Sequence, residues 1–113
     1  MLQQVGDQLE RYMDLLSVRQ KLVASNIANA DTPGYQTRDI DFQGEFQQQL
    51  SAHQPQVLEV SGLTTKNDGN NVDLDREARL LAENALRFSI ASQLLRSELK
   101  SVKSAIDGGG SGA

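Results

Sequence analysis

The sequence predicts a mostly α-helical chain: two long helices, N- and C-terminal, paired as a coiled coil, with an irregular, partly disordered segment between them. Three observations predict it. Apolar residues recur in steps of three and four near both ends, the period of one helix face. Residues 31–72 lack that period and are polar and rich in turn formers. Only five of 113 residues are aromatic and the mean hydropathy is −0.45, too little bulk for a large globular core.

The first helix is predicted over about residues 3–29. Leu2, Val5, Leu9, Met13, Leu16, Val23, Ile27 and Ala30 share one stripe, broken only by Gln20. Residues 1–30 thus form one arm of the core, and residues 73–107 the other. In the second arm Asp73 is a candidate N-cap, and Asp75 and Glu77 put negative charge at the positive end of the helix dipole. Leu74, Ala78, Leu81, Ala85, Phe88, Ala91, Leu95, Leu99, Val102 and Ile106 run in near-regular threes and fours, so this helix needs a long partner. The predicted packing seam is Leu9, Leu16, Val23 and Ile27 against Leu74, Leu81, Phe88, Leu95, Leu99 and Val102.

Within residues 31–72, Phe42 and Phe46 lie one helical turn apart and mark a short helix over about 41–50. Val57, Leu58, Val60 and Leu63 suit a brief strand, and residues 66–71 read as a loop. So polar a segment is expected to be mobile across 51–70. Residues 108–113 have the composition of a flexible Gly/Ser linker.

No enzyme is predicted. Histidine occurs once, at His53, and cysteine not at all, which leaves no nucleophile–base pair and no ligand set for zinc. Asp39 with Asp41, and Asp73 with Asp75, are carboxylate pairs, but a turn and a helix cap account for them. Aligning Gly69 with the glycine of an EF-hand loop puts Lys66 at a ligand position, which excludes that motif. No phosphate-binding glycine loop is present, so neither a cofactor nor a small-molecule substrate is expected. The net charge of −4 comes from residues 31–71, with six acids against Arg38 and Lys66. Nucleic acid, which needs clustered Lys and Arg, is not an expected partner.

The junction after the first helix carries the most information. Ala24-Ser25-Asn26-Ile27-Ala28-Asn29-Ala30-Asp31-Thr32-Pro33-Gly34-Tyr35 passes from helix into a turn in which Pro33 presets φ and Gly34 accepts a positive one. This stretch resembles the N-terminal signature of the bacterial flagellar axial proteins (rod, hook and hook-associated proteins), matched by Asn26, Ile27, Ala28, Asn29, Thr32, Gly34 and Tyr35. Arg38-Asp39-Ile40-Asp41-Phe42 and Asn71-Val72-Asp73-Leu74-Asp75-Arg76-Glu77 resemble the proximal rod members of that family most.

The resemblance implies a structural subunit of the proximal rod of the flagellar basal body. It would pack its two terminal helices as an antiparallel coiled coil and polymerise through them to help form a drive shaft and export channel. Its implied partners are other rod subunits, further copies of itself, the adaptor between rod and membrane ring, and the export gate. Its implied place is the periplasmic rod, reached through the flagellar type III apparatus without a cleaved signal peptide. Asn26 and Asn29 would then belong to an assembly joint, their amides bonding to the C-terminal helix or a neighbouring subunit. The plainer alternative is that both merely end a helix. Another proximal rod protein of the same family, or a coiled-coil adaptor or chaperone that never polymerises, stays open as a second reading.

Overall fold

The computed structural model describes residues 2–48 and 54–111. His53, the end of the short helix expected near residue 50, and the last two residues of the tail lie outside the described residues. Among the described residues three helices and two short strands follow in the order α1 (Leu2–Ala28), β1 (Arg38–Ile40), α2 (Phe42–Gln48), β2 (Val57–Glu59) and α3 (Leu74–Ser111). The two long helices run side by side in a rod-shaped molecule measuring 71 × 24 × 17 Å. Asn26 meets Glu77 at one level and Gln20 meets Asn84 at the next, so their directions are antiparallel. The mostly α-helical fold is as predicted.

Helix α3 starts where the sequence indicates. Asp73 Oδ1 accepts from the backbone N–H groups of Asp75 and Arg76, two donors that the first turn leaves without helical partners. It continues past the predicted end, through Gly108, Gly109 and Gly110 to Ser111. Glycine is about 1 kcal/mol worse than alanine in a helix, so this last turn persists only as an extension of the bonds before it.

The core is half polar. Leu15, Leu16, Val23, Ala30, Ile40, Val72, Leu80 and Ala91 are buried, and so are Asn26, Thr37, Asp39, Glu45, Asn70, Asn71, Glu77 and Asn84. A pattern search for apolar residues therefore finds only part of it. Gln20, which interrupts the predicted stripe of α1, accepts from Asn84 Nδ2 at 3.2 Å and so bonds across the helix pair.

The face that α3 turns to α1 differs from the predicted seam. It carries Glu77, Leu80, Asn84 and Ala91, with half-buried Leu95, Glu98 and Val102 further along. Leu74, Leu81, Phe88 and Leu99 are exposed, one residue step around the helix from that face. On α1, Leu16 and Val23 are buried, Leu9 is half-buried and Ile27 is exposed. The physical reason is that buried carboxylates and amides form the intramolecular seam, which leaves the more apolar stripe facing outward.

Where the structure describes it, the middle folds as one short helix and two short strands. β1 and β2 pair antiparallel with Ile40 opposite Val57. Tyr12 stands edge-on to both Phe42 and Phe46, with ring centroids 5.2 and 5.5 Å away, and so fastens α2 to α1. Asp41 caps α2, accepting from Gly44 N–H at 3.2 Å. Residues 66–71, read as a plain loop, fold back on the end of α1. The bonds they make there are the substance of the site.

Candidate functional site

The signature turn forms as its residues dictate. Tyr35 N–H donates to Thr32 O at 3.2 Å, closing the turn over Pro33 and Gly34, and Gly34 takes φ 76°. Gly69 packs against it with φ 86°, and a Cβ there would stand 3.3 Å from Gly34 Cα. Gly34 N–H donates to Asp68 O at 2.9 Å. Two glycine backbones thus meet where a side chain on Gly69 would push them apart.

The two asparagines of the motif do different work. Asn26 is fully buried and all four of its hydrogen-bonding positions are used. Its Nδ2 donates to Arg38 O at 2.9 Å and to Glu77 Oε1 at 2.6 Å, reaching β1 and α3. Its Oδ1 accepts from Arg38 N–H at 3.1 Å and Tyr35 hydroxyl at 2.9 Å. Asn29 bonds only locally: Nδ2 to Ser25 O, and Oδ1 from Thr32 Oγ1. Within the subunit the tie to the C-terminal helix expected of both belongs to Asn26 alone, and Asn29 has the geometry of a helix stop.

Beside Asn26 runs a chain of charges. Asp39 accepts from Arg19 of α1 through both oxygens, at 3.0 and 2.9 Å. Its Oδ2 also accepts from Arg76 of α3 at 2.6 Å, and Arg76 in turn pairs with Glu77 at 2.9 Å. Arg19, Asp39, Arg76, Glu77 and Asn26 thereby link α1, β1 and α3 in one continuous network. Bidentate and charge-assisted bonds fix orientation as well as distance. The angle between the two long helices is set here.

Burial pushes the Glu77 carboxyl above its ordinary value of 4.5, against the Asn26 hydrogen bond and the Arg76 charge, while Asp39 adds to the rise. A carboxyl raised in the folded state makes its largest contribution to stability below 4.5, and that contribution is lost as pH rises through the folded value. Urea unfolding of wild type beside Glu77→Gln, from acid to neutral pH, is expected to show the variant gaining on wild type as pH rises. A constant difference would mean that Glu77 keeps its ordinary value.

The remaining motif residues fall around this network. Pro33 and Thr32 are exposed in the turn, Ala28 ends α1, and Tyr35 also meets Ser25 Oγ at 3.2 Å. Arg38 serves through its backbone while its side chain is exposed. Phe42 receives the Arg19 guanidinium over its ring at 5.9 Å.

Asn70, which sequence reasoning took only as a loop residue, and Asn71, which it took only as the start of the second motif, complete the site. Asn70 Nδ2 donates to Asn29 O and Thr32 O, both at 2.8 Å, satisfying carbonyls beyond the end of α1. Lys66 Nζ adds a bond to Ala30 O at 3.0 Å, a cation at the negative end of the dipole. Asn71 Oδ1 accepts from Thr37 N–H at 2.7 Å and Thr37 Oγ1 at 2.8 Å. Both asparagines sit beside Asp68-Gly69, the setting of an ordinary turn, so nothing local marks them as buried.

Among the described residues no group of three His, Asp or Glu side chains is placed to hold a metal ion. No helix among the described residues is long and apolar enough to cross a membrane. The arrangement is suited to fixing helices relative to one another.

Comparison with known proteins bears on what such a rod-shaped unit is for. Residues 13–36, which span the second half of α1 and the signature turn, match the family model described as flagella basal body rod protein. The flagellar basal body rod protein FlgB of Salmonella typhimurium is 34% identical over 122 aligned positions, covering 86% of this chain and 88% of the relative. FlgB of Escherichia coli is 32% identical over the same extent of both. FlgB of Bacillus subtilis is 28% identical, covering 89% of this chain and 92% of the relative.

Proposed function

The chain belongs to the FlgB family of flagellar basal body rod proteins, and we propose from that membership that it builds the rod through α1 and α3. It is a structural subunit of the proximal rod, located in the flagellar basal body, and it associates with other rod components. The observation that carries the assembly mode is the apolar stripe left on α3 after α1 has packed. Leu74, Leu81, Phe88, Leu99 and Ile106 are all exposed along one face. Water-exposed apolar surface of that extent is stabilised when a neighbouring helix covers it.

In this reading the signature turn is the joint that holds the two helices at the angle the rod wall requires. Arg19, Asn26, Asp39, Arg76 and Glu77 set that angle, and Asn70 and Asn71 keep the turn from opening. The adaptor to the membrane ring and the export gate are the partners proposed for the rod's inner end. The helices themselves are the working surface, and no residue is assigned a catalytic task.

Replacing the gene with a tagged copy in the bacterium that encodes it tests the reading. Deletion is expected to abolish swimming, the tagged copy to restore it, and purified basal bodies to carry the tag on the rod. Full motility after deletion, or a tag found only in the cytosol, overturns it.

A further inference from the structure

We propose that two polar pairs, Asn26–Glu77 and Gln20–Asn84, select which face of α3 packs on α1 within the subunit, and so keep α1 off the more apolar stripe of the same helix. Selection is a property of the single subunit; its use, leaving that stripe uncovered, rests on the rod reading.

Apolar area alone would choose the other face. Leu74, Leu81, Phe88, Leu99 and Ile106 form the stripe, all exposed, whereas the face on α1 holds Glu77, Leu80, Asn84, Ala91 and half-buried Glu98. The two faces lie about a fifth of a turn apart at 3.6 residues per turn. Space does not forbid the rotation. A hollow of about 370 Å³ beside the Gln20–Asn84 bond is lined by Leu16, Gln20, Asn84, Ala85 and Phe88, among others. Turning α3 to bring the stripe onto α1 would carry Phe88 towards that hollow. The helix nevertheless stands with Phe88 43% exposed.

What holds it there is the hydrogen bonding of buried amides. Asn84 is buried, and its Nδ2 donates to Gln20 Oε1 at 3.2 Å. Asn26 and Glu77 are both fully buried, and Asn26 Nδ2 donates to Glu77 Oε1 at 2.6 Å. With the stripe against α1, Gln20 Oε1 and one N–H of Asn26 would face leucine and phenylalanine side chains. A buried polar group left without a partner is costly, so α1's own amides penalise the apolar pose. Glu98 opposes the observed face, since its buried Oε1 has no hydrogen-bond partner among the described residues, which leaves the choice to the two satisfied pairs. A polar residue in a helix seam gains specificity in this way, by making the alternative worse.

The chain has no cysteine, so a single introduced thiol reports its own exposure. Leu81→Cys and Leu80→Cys are made one at a time in the full chain. Each is labelled with a water-soluble maleimide at a concentration where sedimentation shows single copies. Leu81 is 40% exposed and Leu80 7%, so the first is expected to label roughly tenfold or more faster than the second. Equal labelling in the otherwise wild-type chain overturns the selection at once.

Gln20→Leu, Glu77→Leu and Asn84→Leu together remove the selecting groups, while Arg76 keeps Asp39 as its partner. This triple variant is expected to stay helical, to unfold at no lower urea concentration than wild type, and to lose the labelling contrast or reverse it. Gln20→Asn with Asn84→Gln exchanges one pair and is expected to keep the contrast. A helical triple variant with the wild-type contrast overturns the selection, because side-chain shape would then choose the face. An unfolded triple variant overturns it too, by making the pairs a requirement of folding itself, as does an exchanged pair that loses the contrast. Absence of the wild-type chain from basal bodies overturns the rod reading and leaves the selection standing.

Discussion

Leu81→Asp is expected to give a subunit as stable as wild type that builds no rod. Leu81 is exposed, so an aspartate there remains in water and shifts the unfolding free energy by about 0.5 kcal/mol or less. In the rod the same position would lie beneath a neighbouring helix. An unpaired carboxylate buried there costs several kcal/mol, at every copy of the contact. Leu95→Asp makes a useful contrast because Leu95 is half-buried against α1, and both folding and assembly are expected to suffer. Circular dichroism melts read the first property, and swimming with basal-body yield the second. A Leu81→Asp strain that swims normally would show that the stripe on α3 faces water in the rod too.

That stripe also explains how far the sequence could be read. Period alone located α1 and α3, the resemblance implied their antiparallel direction, and Asp73 marked the start of α3. What period could not do was tell two seams on one helix apart. Leu74, Leu81, Phe88 and Leu99 are the more apolar set and so were assigned to the partner within the chain. The actual partner face holds Glu77, Asn84 and Glu98, polar residues that any hydrophobic pattern excludes. Glu77 and Asn84 are tolerated there because Asn26, Arg76 and Gln20 meet them, and the Asn26–Glu77 and Gln20–Asn84 bonds join positions more than fifty residues apart.

The same limit applies at the joint. The turn at Pro33-Gly34 was legible because backbone geometry there is decided locally. Asn70 and Asn71 were not, since an asparagine beside Asp-Gly reads as a turn former whether its amide faces water or a helix end. Resemblance supplied what local chemistry could not, by marking Asn26, Asp39 and Asn71 as residues of interest. It did not say that Asp39 holds two arginines from different helices.

Separating Asn26 from Asn29 is the sharpest test of that joint. Asn26→Ala removes four hydrogen bonds and leaves the Arg38 backbone, the Tyr35 hydroxyl and the Glu77 carboxylate short of a partner in a buried place. Each buried group so stranded costs about 1–3 kcal/mol, so a loss of roughly 2–5 kcal/mol is expected. Asn29→Ala removes two local bonds on a partly exposed helix end and is expected to cost about 1 kcal/mol or less. Both proteins should remain largely helical, because the long stretches of α1 and α3 are untouched. Rod assembly should part them: Asn26→Ala is expected to give an exported subunit whose helices no longer hold their angle and no rod, whereas Asn29→Ala swims. Urea unfolding of each purified variant, read beside motility and basal-body yield, measures both halves. Equal losses at the two sites would mean that Asn29 contacts a neighbouring subunit in the rod, and normal swimming with Asn26→Ala would reduce the network around Glu77 to a feature of the free subunit.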